Sequence, residues 1–301
     1  MYGFELKQRY RAGQRDFTGV DLKNAYINWP WLIDVNLSGA NLSGARLRRN
    51  RLINANLRGA NLNNVALNVS FLIRADLSGT RLRGAGLGGA DFTEANLTGA
   101  DLTGADLGGA ILAGANLTGA NLTDINITER TIFCQTTMPD GRVKTDPSKV
   151  PSAAELLERY GAGERDFSGL VLYRVDLNGA DLRNVKMQDT RFSYVSLRGA
   201  NLENSRLGMA IGCDFRGANL EGADVSHAKL IYCDYRGANL KGTYMSATDF
   251  TGSNLQGAQM SSGGVEDPMF LCNTTWSDGE FIAGPIPGDI HWSKPIVEGE
   301  F

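Results

Sequence analysis

The chain has 301 residues, of which 37 are glycine and 8 are proline, and its charged residues sum to a formal net charge of −3. Abundant glycine without abundant proline or a three-residue period excludes a collagen-like chain, and a hydrophobic fraction of 42% is too high for a disordered one. No run of 18 apolar residues occurs, and the first residues lack the basic-then-apolar order of a signal peptide, so the sequence predicts a cytoplasmic protein that does not span a membrane.

The first predicted element is a short amphipathic helix at about residues 4–12, which ends at Gly13. A closely similar segment recurs at about residues 153–160, where Ser152 and Glu155 have the spacing of a capping box. Each segment precedes a repetitive region. We therefore expect each helix to cover the end of the stack that follows it, because an uncovered end would expose apolar side chains and free strand edges.

The region between Phe17 and Ile132 repeats with a period of five residues. Every fifth position is Leu, Ile or Phe, over 24 consecutive positions. A small residue, usually alanine, stands two positions earlier, with Asn or Asp between them, as in Ala40-Asn41-Leu42. Ser, Thr or Arg and then often glycine follow, which gives the consensus A-[DN]-L-[ST]-G. This period fits neither a helix nor a strand, and it requires two inward and three outward residues in each unit.

The pattern resembles the pentapeptide-repeat family, over roughly residues 17–132 and 167–270. The resemblance implies an all-β fold of two tandem right-handed quadrilateral parallel β-helices, the Rfr fold, each with a short N-terminal capping α-helix. Each pentapeptide is then one side of a square coil, Leu and Ala point inward, and the coils stack at about 4.8 Å. The caps are also similar to those of cyanobacterial members such as HetL, which implies a cyanobacterial source.

The two copies have matching ends, and these ends give the predicted boundaries. The predicted segments are domain 1 at 1–141 with repeats at about 15–134, a polar linker at 142–151, domain 2 at 152–280 with repeats at 165–272, and a proline-rich tail at 281–301. The similar segments 133–141 and 271–279 are predicted to be terminal caps. In the second array the inward residues skip eight positions, from Leu207 to Phe215, so residues 208–212 are predicted to hold a bulge or loop that restores the register.

Nothing in the sequence predicts catalysis. It contains no G-x-x-x-x-G-K-[ST], G-x-S-x-G or C-x-x-C motif, and only two histidines. Acidic residues occupy outward positions where the consensus accounts for them, and a prism filled by its own side chains offers no concave pocket for a reaction. The sequence therefore predicts a non-enzymatic protein without a metal or a cofactor.

Cys213 and Cys233 occupy the small inward position one coil apart, so they are predicted to stack at about 4.8 Å. That separation is within the Cα range of a disulfide, which leaves a bond and two reduced thiols both open. Reduced thiols are favoured, because disulfides are rare in cytoplasmic proteins. Cys134 and Cys272, at equivalent positions of the two caps, are interpreted as buried thiols.

Eight arginines of domain 1 form a basic belt that contains a single acid, Asp76. They are Arg46, Arg48, Arg49, Arg51, Arg58, Arg74, Arg81 and Arg83. Residues 84–129 contain acids and no Lys or Arg, so the belt and the segment after it have opposite sign. The belt is interpreted first as a solvated face, because outward positions have to be polar. The functional alternatives are a surface for an acidic partner and head-to-tail self-association.

A second candidate surface is Trp29-Pro30-Trp31, which interrupts the first coil. Outward tryptophans could form a binding hot spot. Packing under the N-terminal helix is the favoured interpretation, because terminal coils need cover. Trp29 and Trp31 are therefore candidate interaction residues together with the belt.

Three functions remain open on the sequence. The first is a protein-interaction scaffold with an unidentified protein partner. The second, implied by the family resemblance, is mimicry of DNA that binds gyrase or topoisomerase and gives quinolone resistance. Mimicry needs continuous acidic columns, and the candidate column is mostly neutral: Asp21, Asn41, Asn61, Arg81, Asp101 and Asn121. The third, direct nucleic-acid binding by the belt, is disfavoured because the chain is slightly acidic and the belt lacks interleaved aromatics.

Overall fold

A computed structural model describes residues 1–29, 31–261 and 269–282 of the chain, which forms two compact units, Met1–Asp146 and Pro147–Phe301. The helices and strands are α1 (Gly3–Arg11), β1 (Thr136–Thr137), β2 (Val143–Lys144), α2 (Ala153–Gly161), β3 (Val171–Tyr173), β4 (Lys186–Ser193), β5 (Arg206–Ile211), β6 (Leu230–Ile231), β7 (Asn239–Leu240), β8 (Gln259–Met260), β9 (Thr274–Thr275) and β10 (Phe281–Ile282). Outside the described residues lie Pro30, the predicted inward Val265, and the predicted tail from residue 283 onward.

Both units are stacks of coils, which confirms the predicted fold class. Each pentapeptide supplies one side, made of a bridge residue, an inward residue, a two-residue turn and a small residue. In unit 1 the sides of the first coil are centred on Phe17, Leu22, Ile27 and Leu32, and we number the sides one to four in that order. Residues twenty apart in the sequence are parallel bridge partners in most of the two stacks, so each coil repeats the one before it.

Backbone hydrogen bonds between successive coils hold each stack together. The Leu37 N–H donates to the carbonyl of Asn56 at 2.7 Å, and the Asn56 N–H donates to the carbonyl of Val35 at 2.9 Å. The same pair of bonds recurs from side to side along both units. Inner coils are therefore paired on both edges, and free strand edges can occur only at the ends of a stack.

Two kinds of inward side chain, one large and one small on each side of a coil, fill each stack along its axis. The large and small inward positions are buried, as Leu77 and Ala75 show with 0% exposure. In unit 2 some of the large positions are aromatic, and the rings of Phe215 and Tyr235 stack with centroids 4.7 Å apart and planes 6° from parallel. The predicted inward positions are thus confirmed for the coils between the two ends.

A residue with positive φ closes almost every described side. Glycine accepts this conformation without a Cβ clash, as Gly79 does at φ 63°, and Asn takes it at several turns, for example Asn54 at φ 56°. Val69 has φ 58° at the same turn position, where a β-branched side chain is strained. The Val69 side chain is 51% exposed, so packing does little to offset that strain.

The two helices lie at the start of each unit, where the sequence predicts them. Helix α1 buries Leu6 and Tyr10, and the Tyr10 hydroxyl donates to the carbonyl of Ile33 at 2.9 Å. Helix α2 begins with the predicted capping box. The Glu155 N–H donates to the Ser152 hydroxyl at 3.2 Å, and the Ser152 N–H donates to the Glu155 carboxylate at 2.8 Å.

The last coil of unit 1 contains one residue more than the repeat predicts. Ile132 is the bridge partner of Ile111, twenty-one residues before it, so its side chain does not take the inward position. Phe133 is the buried inward residue instead. The inward assignment of Ile132 was therefore wrong, because a turn closed by the Thr131 N–H and the Thr128 carbonyl takes up the additional residue.

Unit 2 departs from the five-residue count at two places. At its end Phe270 is the bridge partner of Asp249, twenty-one residues before it, and Leu271 is buried. The inward assignment of Phe270 was therefore wrong, because this coil also contains one additional residue. At the register break the segment Leu207–Met209 faces Met187–Arg191, which makes this side two residues shorter and involves no inserted loop. Gly208 permits the shortening, because a Cβ there would lie 2.7 Å from a backbone carbonyl of the preceding coil.

The predicted linker at 142–151 is partly structured. Within it Val143–Lys144 is strand β2, which pairs antiparallel with β1, and the boundary between the units lies between Asp146 and Pro147. Unit 2 ends on the same type of hairpin, in which Phe281–Ile282 pairs antiparallel with β9. The first part of the predicted linker and the start of the predicted tail thus belong to the C-terminal ends of the two units.

Leu77→Asp is expected to unfold unit 1, because it places a carboxylate at a fully buried axial position. An uncompensated buried charge costs about 3–5 kcal/mol. Leu77→Met, which conserves volume, should cost less than about 1.5 kcal/mol. Urea denaturation followed by circular dichroism measures both variants, and an unchanged transition for Leu77→Asp would contradict the inward assignment.

Val69→Gly is expected to stabilise unit 1, because it removes the strain of a β-branched residue at positive φ. The left-handed conformation costs about 1–2 kcal/mol, and the added freedom of glycine in the unfolded chain offsets part of that, which leaves roughly 0.5–1 kcal/mol. Gly79→Val is the matched reverse change, since a Cβ at Gly79 meets nothing within 4 Å. It should lower the melting temperature, and no change in either variant would show that these turns carry no strain.

Candidate functional site

Most outward Asn and Asp side chains are engaged in holding the coils. The Asn96 carboxamide oxygen accepts from the Thr98 N–H at 3.1 Å and from the Thr98 hydroxyl at 2.6 Å, which closes an Asx-type turn. The Asn96 amide also donates to the Asp76 carboxylate in the coil below at 3.2 Å. The consensus acids therefore serve the fold, and candidates for a binding surface lie among the other outward residues.

In unit 2, one side carries a ladder of alternating arginine and aspartate. Arg216 Nε donates to Asp214 at 2.8 Å, and Arg236 Nε donates to Asp234 at 2.9 Å. Longer ion pairs link the coils, from Arg198 to Asp214 at 3.7 Å and from Arg216 to Asp234 at 3.6 Å. Hydrogen bonding from Arg216, together with its charge, lowers the pKa of Asp214. These arginines are neutralised locally, and the sequence analysis did not identify the ladder.

Three members of the basic belt of unit 1 are engaged by neighbouring side chains. Arg51 is half-buried, with its guanidinium 4.0 Å from the ring centroid of Trp31. Arg83 forms an ion pair with Asp101. Arg74 forms an ion pair as well, with a Glu94 carboxylate oxygen 3.7 Å from its Nε.

The remaining members of the belt are exposed, and among the described residues no ion pair holds them. They are Arg46, Arg48, Arg49, Arg58 and Arg81. Arg58 lies on side one and Arg81 on side two, so the belt encircles the stack and does not form one surface. Arg46, Arg48 and Arg49 surround the inward Leu47 on side three and its corner, and we call these three residues the basic patch.

Trp29 is removed from the candidate surface. It is buried, and its ring meets the Tyr10 ring of helix α1 edge to face with centroids 4.8 Å apart. The terminal coil needs cover and the helix provides it, which is the packing arrangement that the sequence favoured. Trp31 is half-buried and lies under Arg51, so it supports that arginine more than it faces solvent.

Three exposed aromatic residues that the sequence analysis did not identify lie near the start of unit 1, and one of them, Tyr26, adjoins the basic patch. Tyr26 is the bridge partner of Arg46 one coil below and is 66% exposed. Tyr2 and Phe4 flank Gly3, which lies so close to the Tyr26 carbonyl that a Cβ there would be 2.3 Å from its oxygen. We call Tyr2, Phe4 and Tyr26 the aromatic cluster. The sequence did contain a signal for Tyr26, since it is aromatic at a bridge position where the consensus has Asn or Asp.

Side four of unit 1 differs from the other three, because its outward residues are largely apolar and buried. Ile53, Phe71, Ile73 and Ile111 are at most 6% exposed, although their positions in the repeat point away from the axis. These four outward side chains are therefore withdrawn from solvent. The sequence could have predicted this apolar side, because outward apolar residues twenty positions apart, such as Ile53 and Ile73, belong to one column.

Cys213 and Cys233 are free, buried thiols. The Cys213 thiol donates to the carbonyl of Phe192 at 3.4 Å, and the Cys233 thiol donates to that of Ala210 at 3.4 Å. Thr248 makes the same type of bond to the preceding coil from the small inward position. Burial raises the pKa of the Cys233 thiol, which disfavours the thiolate. The two residues thus act as small hydrogen-bonding core residues.

An open cleft of about 580 Å³ lies beside the β1–β2 hairpin, and its lining includes Met138, Asp140, Arg142 and Lys144. The lining contains no histidine or cysteine. Within residues 1–29, 31–261 and 269–282, no group of three or more His, Cys, Asp or Glu side chains is placed to hold a metal ion. Neither helix in the described part of the chain is long and apolar enough to cross a membrane.

Comparison with known proteins supports the repeat. The model of the family described as pentapeptide repeats matches in eight copies at residues 32–68, 70–109, 90–129, 166–207, 211–246 and 233–262. No curated protein matches the chain.

Several solved structures of pentapeptide repeat proteins are similar to this chain. HetL from the cyanobacterium Nostoc sp. strain PCC 7120, involved in heterocyst differentiation regulation, is 24% identical over 94% of this chain and 100% of its own, with a TM-score of 0.36. A protein of the Arabidopsis thaliana thylakoid lumen is 29% identical over 31% of this chain and 61% of its own, with a TM-score of 0.25. QnrB1, a plasmid-mediated fluoroquinolone resistance protein, is 13% identical over 82% of this chain and 92% of its own, with a TM-score of 0.25.

The Arg83–Asp101 pair predicts a pH dependence of unit 1. Hydrogen bonds from Thr103 and Arg83 lower the pKa of Asp101 from 3.8 to about 2. A depressed pKa gives stability that is present above the unfolded value of 3.8 and is lost as the pH falls through the folded value of about 2. Asp101→Asn should therefore be less stable than wild type at about pH 6, and the difference should shrink towards pH 2. Urea midpoints across this range measure it, and a constant difference would contradict the assignment.

Proposed function

The chain belongs to the pentapeptide-repeat family, and from that premise we propose that it is a non-catalytic scaffold that binds an acidic protein segment through the basic patch of unit 1. The observation that carries the proposal is the exposure of Arg46, Arg48 and Arg49 without a counter-ion among the described residues. They are exposed, close together and not held by an ion pair with any described residue. An acidic partner would supply the counter-charge that the protein itself does not.

The contrast with unit 2 supports this assignment. There Arg216 and Arg236 lie within hydrogen-bond distance of aspartates, so most of their field is cancelled at short range. The patch of unit 1 retains its field, which attracts and orients an oppositely charged partner. Guanidinium groups also bind carboxylates in a bidentate geometry, which favours arginine over lysine for this task.

The aromatic cluster gives the patch an apolar neighbour. Tyr26 and Arg46 are adjacent bridge residues on side three, and neighbouring rungs of a sheet lie about 4.8 Å apart. Tyrosine and arginine are enriched in the few interface residues that carry most binding energy. We therefore expect the acidic segment to carry at least one apolar or aromatic side chain that packs on Tyr26, Tyr2 or Phe4.

The sheet-like side on which the patch lies also favours binding. Its backbone is fixed on both edges by hydrogen bonds, such as that from the Ile27 N–H to the Arg46 carbonyl at 3.0 Å. A fixed surface loses little backbone entropy when a partner binds, so more of the contact energy appears as affinity. The ordering cost then falls mainly on the arginine side chains and on the partner.

Mimicry of DNA has less support. In unit 1 the column on side two consists of Asp21, Asn41, Asn61, Arg81, Asp101 and Asn121, joined as successive bridge partners. It is mostly neutral and is interrupted by arginine, whereas a mimic of duplex DNA needs a continuous row of negative charge. In unit 2 the acids Asp214 and Asp234 are neutralised by arginine.

Charge reversal at the patch tests the proposal. The protein is titrated with a fluorescent random copolymer of glutamate and tyrosine at about 0.15 M salt, where exposed charges act over about 8 Å. Arg46→Glu with Arg48→Glu should weaken binding by about tenfold or more, because two favourable charge contacts become repulsive. Arg58→Glu with Arg81→Glu is the matched control, since it makes the same change of charge at exposed arginines on sides one and two.

The control variant should bind within about twofold of wild type, because its residues lie away from the patch. Equal losses in the two variants would mean that the copolymer responds only to net charge, and the assignment of the patch would be wrong. Tighter binding of a 20-base-pair DNA duplex than of the copolymer, lost in the same patch variant, would replace the protein partner by a nucleic acid.

A further inference from the structure

The C-terminal end of unit 1 is covered on only two of its four sides. Ile132 pairs with Ile111 on side four, and Thr137 pairs with Asn116 on side one. The chain then turns back at Gly141 into strand β2, which pairs with β1. Residues 120–128, on sides two and three, consequently form the last rung of the stack, and we call them the open edge.

The open edge carries backbone groups whose counterparts on most inner coils are hydrogen-bonded to the next coil. On inner coils the inward residue and the turn residue donate to the next coil, and the carbonyl of the small residue accepts from it. At the open edge the corresponding donors are the N–H groups of Leu122, Asp124 and Ile127, and the acceptors are the carbonyls of Ala120 and Ile125. Among the described residues, none of these five groups has a hydrogen-bond partner.

Inward side chains of the open edge are also incompletely covered. Ile127 is 46% exposed, and Leu122 is half-buried. Their counterparts one coil below, Leu107 and Leu102, are fully buried. The end of the stack therefore combines free strand hydrogen bonds with apolar contact sites at the five-residue spacing of the repeat.

The negative charge around the open edge favours a basic partner over a second copy of the chain. Residues 84–129 contain no Lys or Arg, and Asp106, Asp124 and Glu129 lie on or next to the edge, with Arg130 after it. A second copy that paired edge to edge would bring these acids against their own duplicates, and like charges at close range oppose association. A basic segment would meet complementary charge.

We propose that the open edge of unit 1 is a docking site for an extended basic segment of another protein, which adds to the stack as a further rung by β-augmentation. Backbone bonds to Leu122, Asp124 and Ile127 would give affinity, and outward Lys or Arg would face the acids. Small and large apolar residues at the spacing of the repeat would cover Leu122 and Ile127. The inference is independent of the basic patch, which lies on coils near the other end of the unit.

Two synthetic decapeptides test the edge. The basic probe is Ala-Lys-Leu-Lys-Gly repeated twice, and the acidic probe has glutamate in place of lysine. Fluorescence anisotropy with the full chain is expected to show at least about tenfold tighter binding of the basic probe. Hydrogen exchange should slow at the amides of Leu122, Asp124 and Ile127, because strand addition gives these amides partners.

Matched substitutions locate the binding. Ile127→Lys places a like charge at the edge and is expected to weaken the basic probe by about tenfold or more. Val143→Lys is the control, since it introduces a lysine at another exposed apolar residue, in strand β2 and 66% exposed, and it should leave affinity within about twofold.

Three outcomes would overturn the proposal. One is equal binding of the two probes, and another is binding without slowed exchange within 120–128. The third is concentration-dependent dimerisation in sedimentation experiments that protects 120–128 and is abolished by Ile127→Lys, because the occupant of the edge would then be a second copy.

Discussion

The backbone hydrogen bonds between coils are the constraint on which the rest of the molecule depends. Two parallel coils can pair on all four sides only if both return to the same register, and equal sides of five residues achieve this. Where the length of a coil changes, the adjustment is confined to one place. Unit 1 takes up an additional residue in the turn at Thr128–Thr131, and unit 2 shortens one side at Gly208, where backbone meets backbone. Glycine and asparagine at positive φ recur because most sides close with the same tight turn.

This constraint also decides where function can lie. Each pentapeptide has three outward residues, and the fold already uses one of them when an Asn or Asp such as Asn96 closes the turn and bonds the next coil. Binding is therefore expected where a side departs from the consensus. The basic patch with Tyr26 is one such departure, on coils that α1 and the following coils hold rigid. The open edge is a second kind of departure, because the hydrogen bonds between successive coils end there.

The five-residue period and the capping signals are local properties of the sequence. They predicted the fold, the inward positions such as Leu77, the two helices and the capping box at Ser152.

These local signals could not predict which arginines are free. Arg83 is paired because Asp101 lies eighteen residues later, one coil above, and Arg216 is paired with Asp214 because their side chains share a side. Trp29 was similarly ambiguous, since its burial depends on Tyr10 of α1. The shift at Ile132 was missed because a single additional residue leaves the hydrophobic period almost unchanged.

The central claim is that the unpaired arginines of unit 1, and not the paired arginines of unit 2, receive an acidic partner. The most direct measurement is the nuclear magnetic resonance spectrum of the arginine Nε–H groups, recorded while the glutamate–tyrosine copolymer is added to the full chain. The account predicts that the resonances of Arg46, Arg48 and Arg49 shift first, while those of Arg216 and Arg236, already bonded to aspartate, stay in place. Shifts confined to Arg216 and Arg236, or no arginine shifts at all upon binding, would contradict it.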